Sequence, residues 1–493
     1  MRGRMLIVML ALLAPMSLTS ARAGEFVVVL YNDLGVEGDM NAPWSESDEN
    51  VDHRLSTNGQ YTYLVRTIKA HLGHFLATAD LHGNTVSVQA YASQGGLTSP
   101  CGQRLGEATI IMAELSPDAV VTIGDNMDCF IDAMATAGIM TFGSLQDYPR
   151  STFTATPGMV WSFAPDQIEQ GTATSSFICR ALAADETGTV GAGRATFAFD
   201  PDLQERARRF GLIYPVAFSG SQSRGPRAQE NAELLMEQTH DLCGLQWENG
   251  AGDDGSNLVR IYPESSAGTR ELPLFMSEFK ANEITTVICY CVPVATELTT
   301  TKMVAAARAL DYHPEYFWDH TSRMDKPIWQ RYYGPRMPEA SFGVTKYWMM
   351  PALEQQEHYQ AYLSQEPGTE PNERFSFEIY WSFWTLFTAI ERSAGDFTPA
   401  GVSEGLLGYE VRPGDPSLAS GGFTGDNPYT FLDGGMAFWF DPLEEEPGVD
   451  LPVGCNRSTG ARVFDGAWPF GDGQLYSDAA ACWGGPHSAG ITP

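Results

Sequence analysis

The sequence predicts an α/β protein built from two similar lobes with parallel sheets and a loop-rich C-terminal extension. Three observations support this fold class. Buried-strand patterns alternate with helical patterns, and the alternation restarts after a break near residue 160. The chain has 493 residues, which is more than one hydrophobic core usually serves.

The first set of elements begins with FVVVLYN at 26–32, an apolar run of the length expected for a strand buried on both faces. A helix is predicted across 61–79, where apolar residues recur at helical spacing. The remaining elements of the set are an alternating strand at 85–92, a helix at 105–115, a buried strand at 119–124, a helix at 127–137 and a strand at 139–144. Strands that alternate with helices indicate a parallel sheet covered on both faces.

The second set repeats this alternation. Its predicted elements are helices at 168–183, 228–240, 272–282 and 299–310, and strands at 210–218, 257–263, 285–291 and 316–320. A strand-like segment at 343–348 and a helix at 378–393 follow, and a tail rich in Gly, Pro and Asp begins at 413. Two sets of similar size predict two similar lobes.

The N-terminus has the pattern of a secretory signal peptide. Arg2 and Arg4 precede an apolar run that ends in the small-residue triplet 21–23, so we expect residues 1–23 to be removed after Ala23. No cysteine stands at that point to carry a lipid, and no later segment has the eighteen or so uninterrupted apolar residues of a spanning helix. We therefore expect an exported protein, periplasmic or secreted, that is not inserted in a membrane.

A formal charge of −31 repels nucleic acid and anionic membrane surfaces. Eight cysteines in an exported chain favour disulfides over metal ligands. Cys101 with Cys129 and Cys455 with Cys482 are candidate local pairs, whereas the partners of Cys179, Cys243, Cys289 and Cys291 stay open. Because the sequence has no C-x-x-C, no H-E-x-x-H and no strand-linked glycine fingerprint, we expect no metal and no cofactor.

Candidate ligand contacts are taken from the carboxyl ends of the predicted strands, where parallel sheets bind ligands. In the first set these residues are Tyr31, Asn32, Asp125, Asn126, Gly143 and Ser144. In the second set they are Phe218, Ser219, Tyr290, Pro293, Asp319 and His320. Polar residues also end buried strands as caps and turn formers, so each position has a structural alternative.

Four stretches, three in the second set of elements and one after it, carry a family resemblance. Gln170 and Gly171 stand where the second lobe opens, and 280–287 fits a K-x-x-x-I-T-x-V join between helix and strand. The corner 311–315 fits G/D-Y-x-P-E, and 391–406 is similar to A-G-x-x-L-T-P-E-x-F-x-x-G-L. In this order the motifs resemble those of the type I periplasmic solute-binding proteins, the family of the branched-chain amino acid receptors. The resemblance covers about residues 26–443.

The resemblance implies two Rossmann-like lobes joined by three hinge crossings, with a small polar ligand enclosed when the lobes close. The first lobe would comprise 24–160 and 321–410, the second 161–320, and C-terminal strands with a loop-rich extension at 411–493 would pack on the second lobe. The implied partners are a small-molecule ligand and the membrane permease of an ABC transporter. Asp319 takes the place of the family's acid that pairs with a ligand ammonium group, with a hinge hydrogen bond as the alternative.

The first lobe departs from the amino acid binders. Their Ser or Thr cluster, which holds a ligand carboxylate, is replaced by Gly124, Asp125 and Asn126, although Gly143 and Ser144 could still donate. Phe218, Tyr290 or Tyr31 would supply the aromatic platform over the ligand. Acids on both sides of a cleft leave the ligand class open among amino acids, amides, polyamines and similar polar solutes.

Two other functions are weighed against transport. A ligand-sensing or envelope-regulatory module could share the fold, because fold alone does not decide function. A secreted hydrolase is disfavoured, since Ser219-Gly220-Ser221 lacks the Gly-x-Ser-x-Gly elbow and the acid pairs lie in polar loop segments. The sequence therefore predicts a binding protein without catalysis of its own.

Overall fold

The fold is taken from a computed structural model. It describes residues 24–45, 63–94, 100–124, 127–144, 148–216, 225–249, 256–263, 268–290, 293–318, 340–346, 356–372, 375–411, 421–444, 453–458, 462–463, 471–472 and 481–483. Two parallel-dominated sheets, one in each lobe, organise these residues. The predicted α/β fold class with two lobes is confirmed.

The first sheet has six strands in the order β2-β3-β1-β4-β5-β6. Its strands are β1 (Glu25–Asn32), β2 (Gly38–Asp39), β3 (Thr85–Ala92), β4 (Ala119–Ile123), β5 (Met140–Gly143) and β6 (Val160–Ser162). All pairs are parallel except the short β2 with β3. The central strands are buried on both faces, which explains why β1 and β4 are continuous apolar runs rather than alternating ones.

Helices cover both faces of the first sheet. The helices within the first stretch of chain are α1 (Leu64–Thr78), α2 (Cys101–Glu114), α3 (Asp128–Thr136) and α4 (Arg150–Thr154). A disulfide between Cys101 and Cys129 ties the start of α2 to the start of α3. The bond fixes the N-terminus of α3, which lies at the carboxyl edge of the sheet.

The second sheet has the order β18-β16-β15-β12-β11-β10-β7-β9-β8, with β17 paired to β15. The strands introduced here are β7 (Phe210–Val216), β8 (Trp247–Glu248), β9 (Asn257–Pro263), β10 (Thr286–Cys289), β11 (Glu315–Trp318) and β12 (Ser341–Thr345). The helices are α5 (Gln167–Phe177), which continues as a π-helix over Ile178–Ala183, then α6 (Pro201–Gln204), α7 (Gly225–Cys243), α8 (Leu272–Ala281) and α9 (Pro293–Ala309). Cys179 and Cys243 form a disulfide that ties the π-helix to the end of α7.

The chain then returns to the first lobe. Three helices, α10 (Glu357–Gln365), α11 (Ser376–Arg392) and α12 (Pro399–Leu406), pack there, and the short strands β13 (Glu410–Val411) and β14 (Gly421–Gly422) pair with each other. The aromatic side chains of α11, such as Trp381 and Phe387, join the core of the first sheet. The last strands, β15 (Gly435–Glu444), β16 (Val453–Ser458), β17 (Arg462–Val463) and β18 (Ala481–Trp483), extend the second sheet in antiparallel fashion.

Two lobe boundaries differ from the expected ranges. β12 belongs to the second sheet, although it lies within 321–410, which the resemblance assigned to the first lobe. Residues 421–432 belong with the first lobe, although 411–493 was expected to pack on the second, because Phe423, Phe431 and Leu432 are buried in the first core. The chain therefore crosses between the lobes after β12 and before β15, which hydrophobic patterning alone does not indicate.

Two of the motifs that carry the resemblance, 280–287 and 311–315, are joined within the second lobe. Lys280 Nζ donates to the carbonyl oxygen of Asp311 at 3.1 Å, and Tyr312 Oη donates to the carbonyl oxygen of Ile284 at 2.6 Å. The helix-to-strand join at 280–287 is thereby bonded to the corner at 311–315. These residues are conformational anchors, and none of them lies among the predicted ligand contacts.

Within the described residues, no helix combines the length and apolar character needed to cross a membrane.

Candidate functional site

The carboxyl ends of the two parallel sheets meet at a seam between the lobes. Asp128 begins α3, which follows β4 of the first sheet, and Arg227 lies in the first turn of α7, which follows β7 of the second. The Arg227 guanidinium forms an ion pair with the Asp128 carboxylate. Since both helices start at the carboxyl edges of their sheets, this contact places those edges opposite each other, where open α/β sheets bind ligands.

Tyr148 lies beneath Arg227 on the first-lobe side of the seam. Its side chain is buried, and the Arg227 guanidinium carbon is 4.0 Å from the centroid of its ring. The Tyr148 hydroxyl oxygen accepts a 2.9 Å hydrogen bond from the backbone N–H of Met127. Because an aromatic face attracts a cation, Arg227 is held by a carboxylate and by a ring at the same time. Burial raises the pKa of Tyr148, so its hydroxyl stays protonated.

Two further acids surround this pair. Partial desolvation raises the pKa of Glu230 and of Asp132, and the negative charge of Asp128 adds to the increase in both cases. Arg227 offsets part of the increase at Glu230. The described part of the seam is therefore rich in carboxylates.

Gly143 and Ser144 lie at the carboxyl end of β5. The backbone N–H of Ser144 donates a 3.0 Å hydrogen bond to Ser382 Oγ on α11, so the N–H that was expected to bind a ligand is already engaged. The Ser144 hydroxyl oxygen is buried and has no hydrogen-bond partner among the described residues.

The end of β4 is shaped by a glycine. Gly124 has a φ of 136°, a conformation that other residues rarely adopt. A Cβ at this position would lie 2.2 Å from Asp33 Oδ1, so glycine is needed for the Asp33 carboxylate to pack there. Asp33 is 3% exposed and brings another acid to this edge of the first sheet.

A polar cluster, here called the hinge cluster, links two of the chain segments that run from one lobe to the other. It consists of Arg150, Asp166, Glu169, Asn427 and Thr430. The buried Asp166 carboxylate accepts hydrogen bonds from Arg150 Nε at 2.6 Å, Asn427 Nδ2 at 2.8 Å and the backbone N–H of Glu169 at 2.9 Å. Asp166 also caps α5. Its carboxylate therefore holds the start of the second lobe and links the segment that leads into α5 to the segment that contains Asn427.

Glu169 completes the hinge cluster. Its Oε2 accepts a 2.9 Å hydrogen bond from the backbone N–H of Asp166 and a 3.1 Å hydrogen bond from Thr430 Oγ1. Burial, together with the negative charge of Asp166, raises the pKa of Glu169 to about 9. The Glu169 carboxyl group is therefore protonated at neutral pH, and Arg150 balances the single charge of Asp166.

Three of the predicted ligand contacts have internal roles instead. Tyr31 is fully buried, and its hydroxyl donates a 2.6 Å hydrogen bond to Glu107 Oε2. The Asn32 side chain folds the loop after β1, since its Nδ2 donates to the carbonyl oxygen of Val36 and its Oδ1 accepts from the N–H of Val36. Tyr290 is 2% exposed within an apolar cluster of the second lobe. We therefore remove Tyr31, Asn32 and Tyr290 from the candidate contacts.

The other predicted contacts lie mostly outside the described residues. These are Asp125, Asn126, Phe218, Ser219, Asp319 and His320. Pro293 is the first residue of α9, and only its backbone position is described. Cys455 lies in β16 and Cys482 in the neighbouring β18, and their side chains are likewise outside the description.

Sequence reasoning missed Asp128, Tyr148 and Arg227. Arg227 carried a usable signal, because a cation in the first turn of a helix is opposed by the helix dipole and its place there calls for a partner elsewhere. Asp128 follows the predicted Asp125 and Asn126 closely. Because an acid in the first turn of a helix is favourable and common, its presence there gives no sign of a further role. Tyr148 gives no signal, since nothing in its neighbours distinguishes it from a core aromatic residue.

No protein-family profile and no curated protein matches the chain in sequence. Solved structures do match its fold. A substrate-binding protein of an ABC transporter from Aeropyrum pernix has a TM-score of 0.56 at 12% identity, over 90% of this chain and 98% of its own. A solute-binding protein of an ABC transporter from Rhodopseudomonas palustris, in complex with p-hydroxybenzoic acid, has a TM-score of 0.55 at 10% identity, over 89% and 98%.

A possible leucine/isoleucine/valine-binding protein from Rhodopirellula baltica has a TM-score of 0.53 at 12% identity, over 89% of this chain and 98% of its own. These matches extend over both lobes, and they agree with the order of the second-lobe motifs and with the two parallel sheets that meet at their carboxyl edges. The chain therefore has the two-lobed fold of the type I periplasmic solute-binding proteins.

Proposed function

We propose that this protein is an extracytoplasmic solute-binding protein that encloses a small polar ligand between its lobes and delivers it to an ABC-type importer. The observation that carries the proposal is the seam, at which the carboxyl edges of both parallel sheets face each other and present polar groups. The matched solute-binding proteins support it through their shared fold. No step of this function requires catalysis, a metal or a cofactor.

Binding would act on an equilibrium between open and closed lobes. A ligand that contacts both lobes binds the closed form more tightly and shifts the population toward it, by no more than its preference for that form. The passages at the hinge cluster are where the chain must bend. A transporter could then distinguish the loaded protein by its closed shape.

The proposed site consists of the seam and the strand ends beside it. Ser144 offers a hydroxyl group, and Asp33, Asp128 and Glu230 supply acids. Asp319, placed by the family resemblance, remains a proposed partner for a ligand ammonium group. This charge balance supports ligands that carry an amine or several hydrogen-bond donors, such as amino acids, amides and polyamines.

The proposed cellular location is the periplasm or the medium. The signal-peptide pattern of residues 1–23 favours export, and the disulfides Cys101–Cys129 and Cys179–Cys243 suit an oxidising compartment. We propose that the first lobe extends over 24–166 and 356–432 and the second over 167–345 and the strands from 435 onward. The alternative role is ligand sensing, in which the partner is a signalling protein and not the permease.

A thermal-shift screen of the mature protein tests the function. The panel contains amino acids, amides, polyamines and, because of the solved neighbours, hydroxybenzoates. A ligand at one hundred times its dissociation constant adds about 2.7 kcal/mol to the free energy of unfolding. We expect one class to raise the melting temperature with a saturable dose dependence. A panel in which no compound does so contradicts the proposed ligand classes.

The role of Asp319 is tested with the compound that raises the melting temperature in this screen. Asp319→Ala is expected to weaken binding at least about tenfold, equivalent to about 1.4 kcal/mol, while leaving the fold intact. Asp241→Ala is the matched control, since Asp241 is an exposed acid of the same lobe. Equal affinities for the two variants would remove Asp319 from the site and leave the binding function standing.

A further inference from the structure

The ion pair between Arg227 and Asp128 joins helices from different lobes. The two residues are 99 positions apart in the sequence. Asp128 is the first residue of α3, where an acid already interacts favourably with the helix dipole. Arg227 lies in the first turn of α7, where the dipole opposes a cation. The arginine is thus placed at a local cost, which its contacts across the seam offset.

The helix that carries each partner is tied down by a disulfide. Cys129, the neighbour of Asp128, is in the disulfide with Cys101, and Cys243 at the far end of α7 is in the disulfide with Cys179. The buried ring of Tyr148, in the same lobe as Asp128, receives the guanidinium at 4.0 Å when the pair is formed. Exposed ion pairs usually contribute little because ordering two side chains costs conformational entropy, and the tethered backbone beside Asp128 reduces that cost here.

The environment of the pair also separates it from an ordinary surface ion pair. The Arg227 side chain is 14% exposed and that of Asp128 is 38% exposed, so water screens the contact only partly. If the lobes separate, Arg227 leaves both the carboxylate and the ring. Asp132 would then stay beside Asp128 on α3, whereas Glu230 would move away from Asp128 together with Arg227 on α7.

We propose that Arg227 and Asp128 form a closure contact, which is made when the lobes close, is broken when they open, and sets the fraction of closed molecules. Arg227 and Asp128 are positioning residues in this role, and Tyr148 is the platform for the arginine. The proposal rests on the hinge motion of the proposed function but does not depend on the identity of the ligand. Loss of the pair should lower the closed-to-open ratio about fivefold, equivalent to about 1 kcal/mol.

The test is small-angle X-ray scattering of the mature protein without ligand. Wild type, Asp128→Asn, Arg227→Gln and the double variant are compared from about 0.01 M to about 1 M NaCl, over which the Debye length falls from about 30 Å to about 3 Å. Arg206→Gln is the matched control, because Arg206 and Glu283 form an exposed ion pair within the second lobe. A merely structural pair would change the melting temperature without changing the salt response of the radius of gyration.

We expect the wild-type radius of gyration to increase with salt. Each single variant should already be expanded at low salt and respond weakly, and the double variant should expand no further, since the pair acts as one unit. The Arg206→Gln control should behave like wild type. If Asp128→Asn does not fold, Arg227→Gln carries the same comparison.

Radii and salt responses that equal those of wild type in both single variants would overturn the closure contact. That result would leave the proposed function intact if the thermal-shift screen identifies a ligand. Conversely, a failed screen combined with expanded variants would remove the proposed ligand classes and leave the closure contact in place.

Discussion

Arg208 and Glu315 form a bidentate ion pair inside the second lobe. Arg208 Nε donates to Glu315 Oε2 at 2.8 Å and Nη2 donates to Oε1 at 2.9 Å, and the two side chains are 2% and 0% exposed. Thr286 Oγ1 adds a third hydrogen bond to the carboxylate at 2.8 Å. Glu315 is the glutamate of the G/D-Y-x-P-E corner, so this motif residue serves stability rather than ligand binding.

Breaking this buried pair should destabilise the protein strongly. Glu315→Gln leaves the Arg208 charge buried without its counterion, for which a loss of about 3–5 kcal/mol in the free energy of unfolding is expected. Denaturant unfolding of the mature protein measures this loss. Glu283→Gln, which removes the exposed partner of Arg206, is the control and should change stability by no more than about 0.5 kcal/mol. A Glu315→Gln loss as small as that of the control contradicts the assigned role.

The hinge cluster predicts a dependence of stability on pH. Because the pKa of Glu169 is raised from 4.5 to about 9, the folded protein holds a proton that the unfolded chain releases. Stability should therefore fall as the pH rises from about 4.5 to about 9, by at most about 1.4 kcal/mol per pH unit. Glu169→Gln, which imitates the protonated side chain, should flatten this decline.

A second partly buried carboxyl group, that of Glu357, provides an internal comparison. Burial raises the pKa of Glu357 to about 7, so its contribution to the decline ends near that pH. The melting temperature is measured at intervals across this range for wild type, Glu169→Gln and Glu357→Gln. Above pH 7, the decline of the melting temperature with pH should be less steep than in wild type only for Glu169→Gln. An unchanged decline in that variant would show that Glu169 ionises with an ordinary pKa.

The disulfide Cys101–Cys129 should stabilise the first lobe and hold Asp128 in place. It closes a segment with a sequence separation of 28, for which the chain-entropy estimate is about 3–4 kcal/mol. The Cys101→Ser, Cys129→Ser double variant should lose about that much and should also show a weaker salt response of the radius of gyration. A variant in which Cys179 and Cys243 are both replaced by serine is the comparison, since it loosens the far end of α7 instead.

The long helices and the buried parallel strands followed from the sequence, whereas short elements such as β2 and β6, the helix α10 and the lobe boundaries did not. Apolar runs such as 26–32 predicted the buried strands, because strands covered on both faces are continuously apolar. The helix that begins at Pro293 was predicted only from 299, although proline suits the first position of a helix. The assignment of β12 to the second sheet depends on pairing with β11 and β15, which are distant in sequence.

The site was less accessible to sequence reasoning. A strand buried on both faces gives no periodicity that would tell whether a residue near its end, such as Tyr31, points into the core or toward a ligand. Arg227 and Asp128 come together only through the relative placement of two lobes. Ser144 directly follows the carboxyl end of its strand, a position that local pattern sets, and its contact with a ligand stays a prediction.

The central claim is that two hinged lobes close around a solute. The most direct measurement is the radius of gyration of the mature protein in solution as the stabilising compound of the thermal-shift screen is titrated. The account predicts a saturable decrease in radius, with a midpoint at the dissociation constant found from the thermal shifts. A radius that stays constant while the compound binds and stabilises the protein would contradict closure around the ligand.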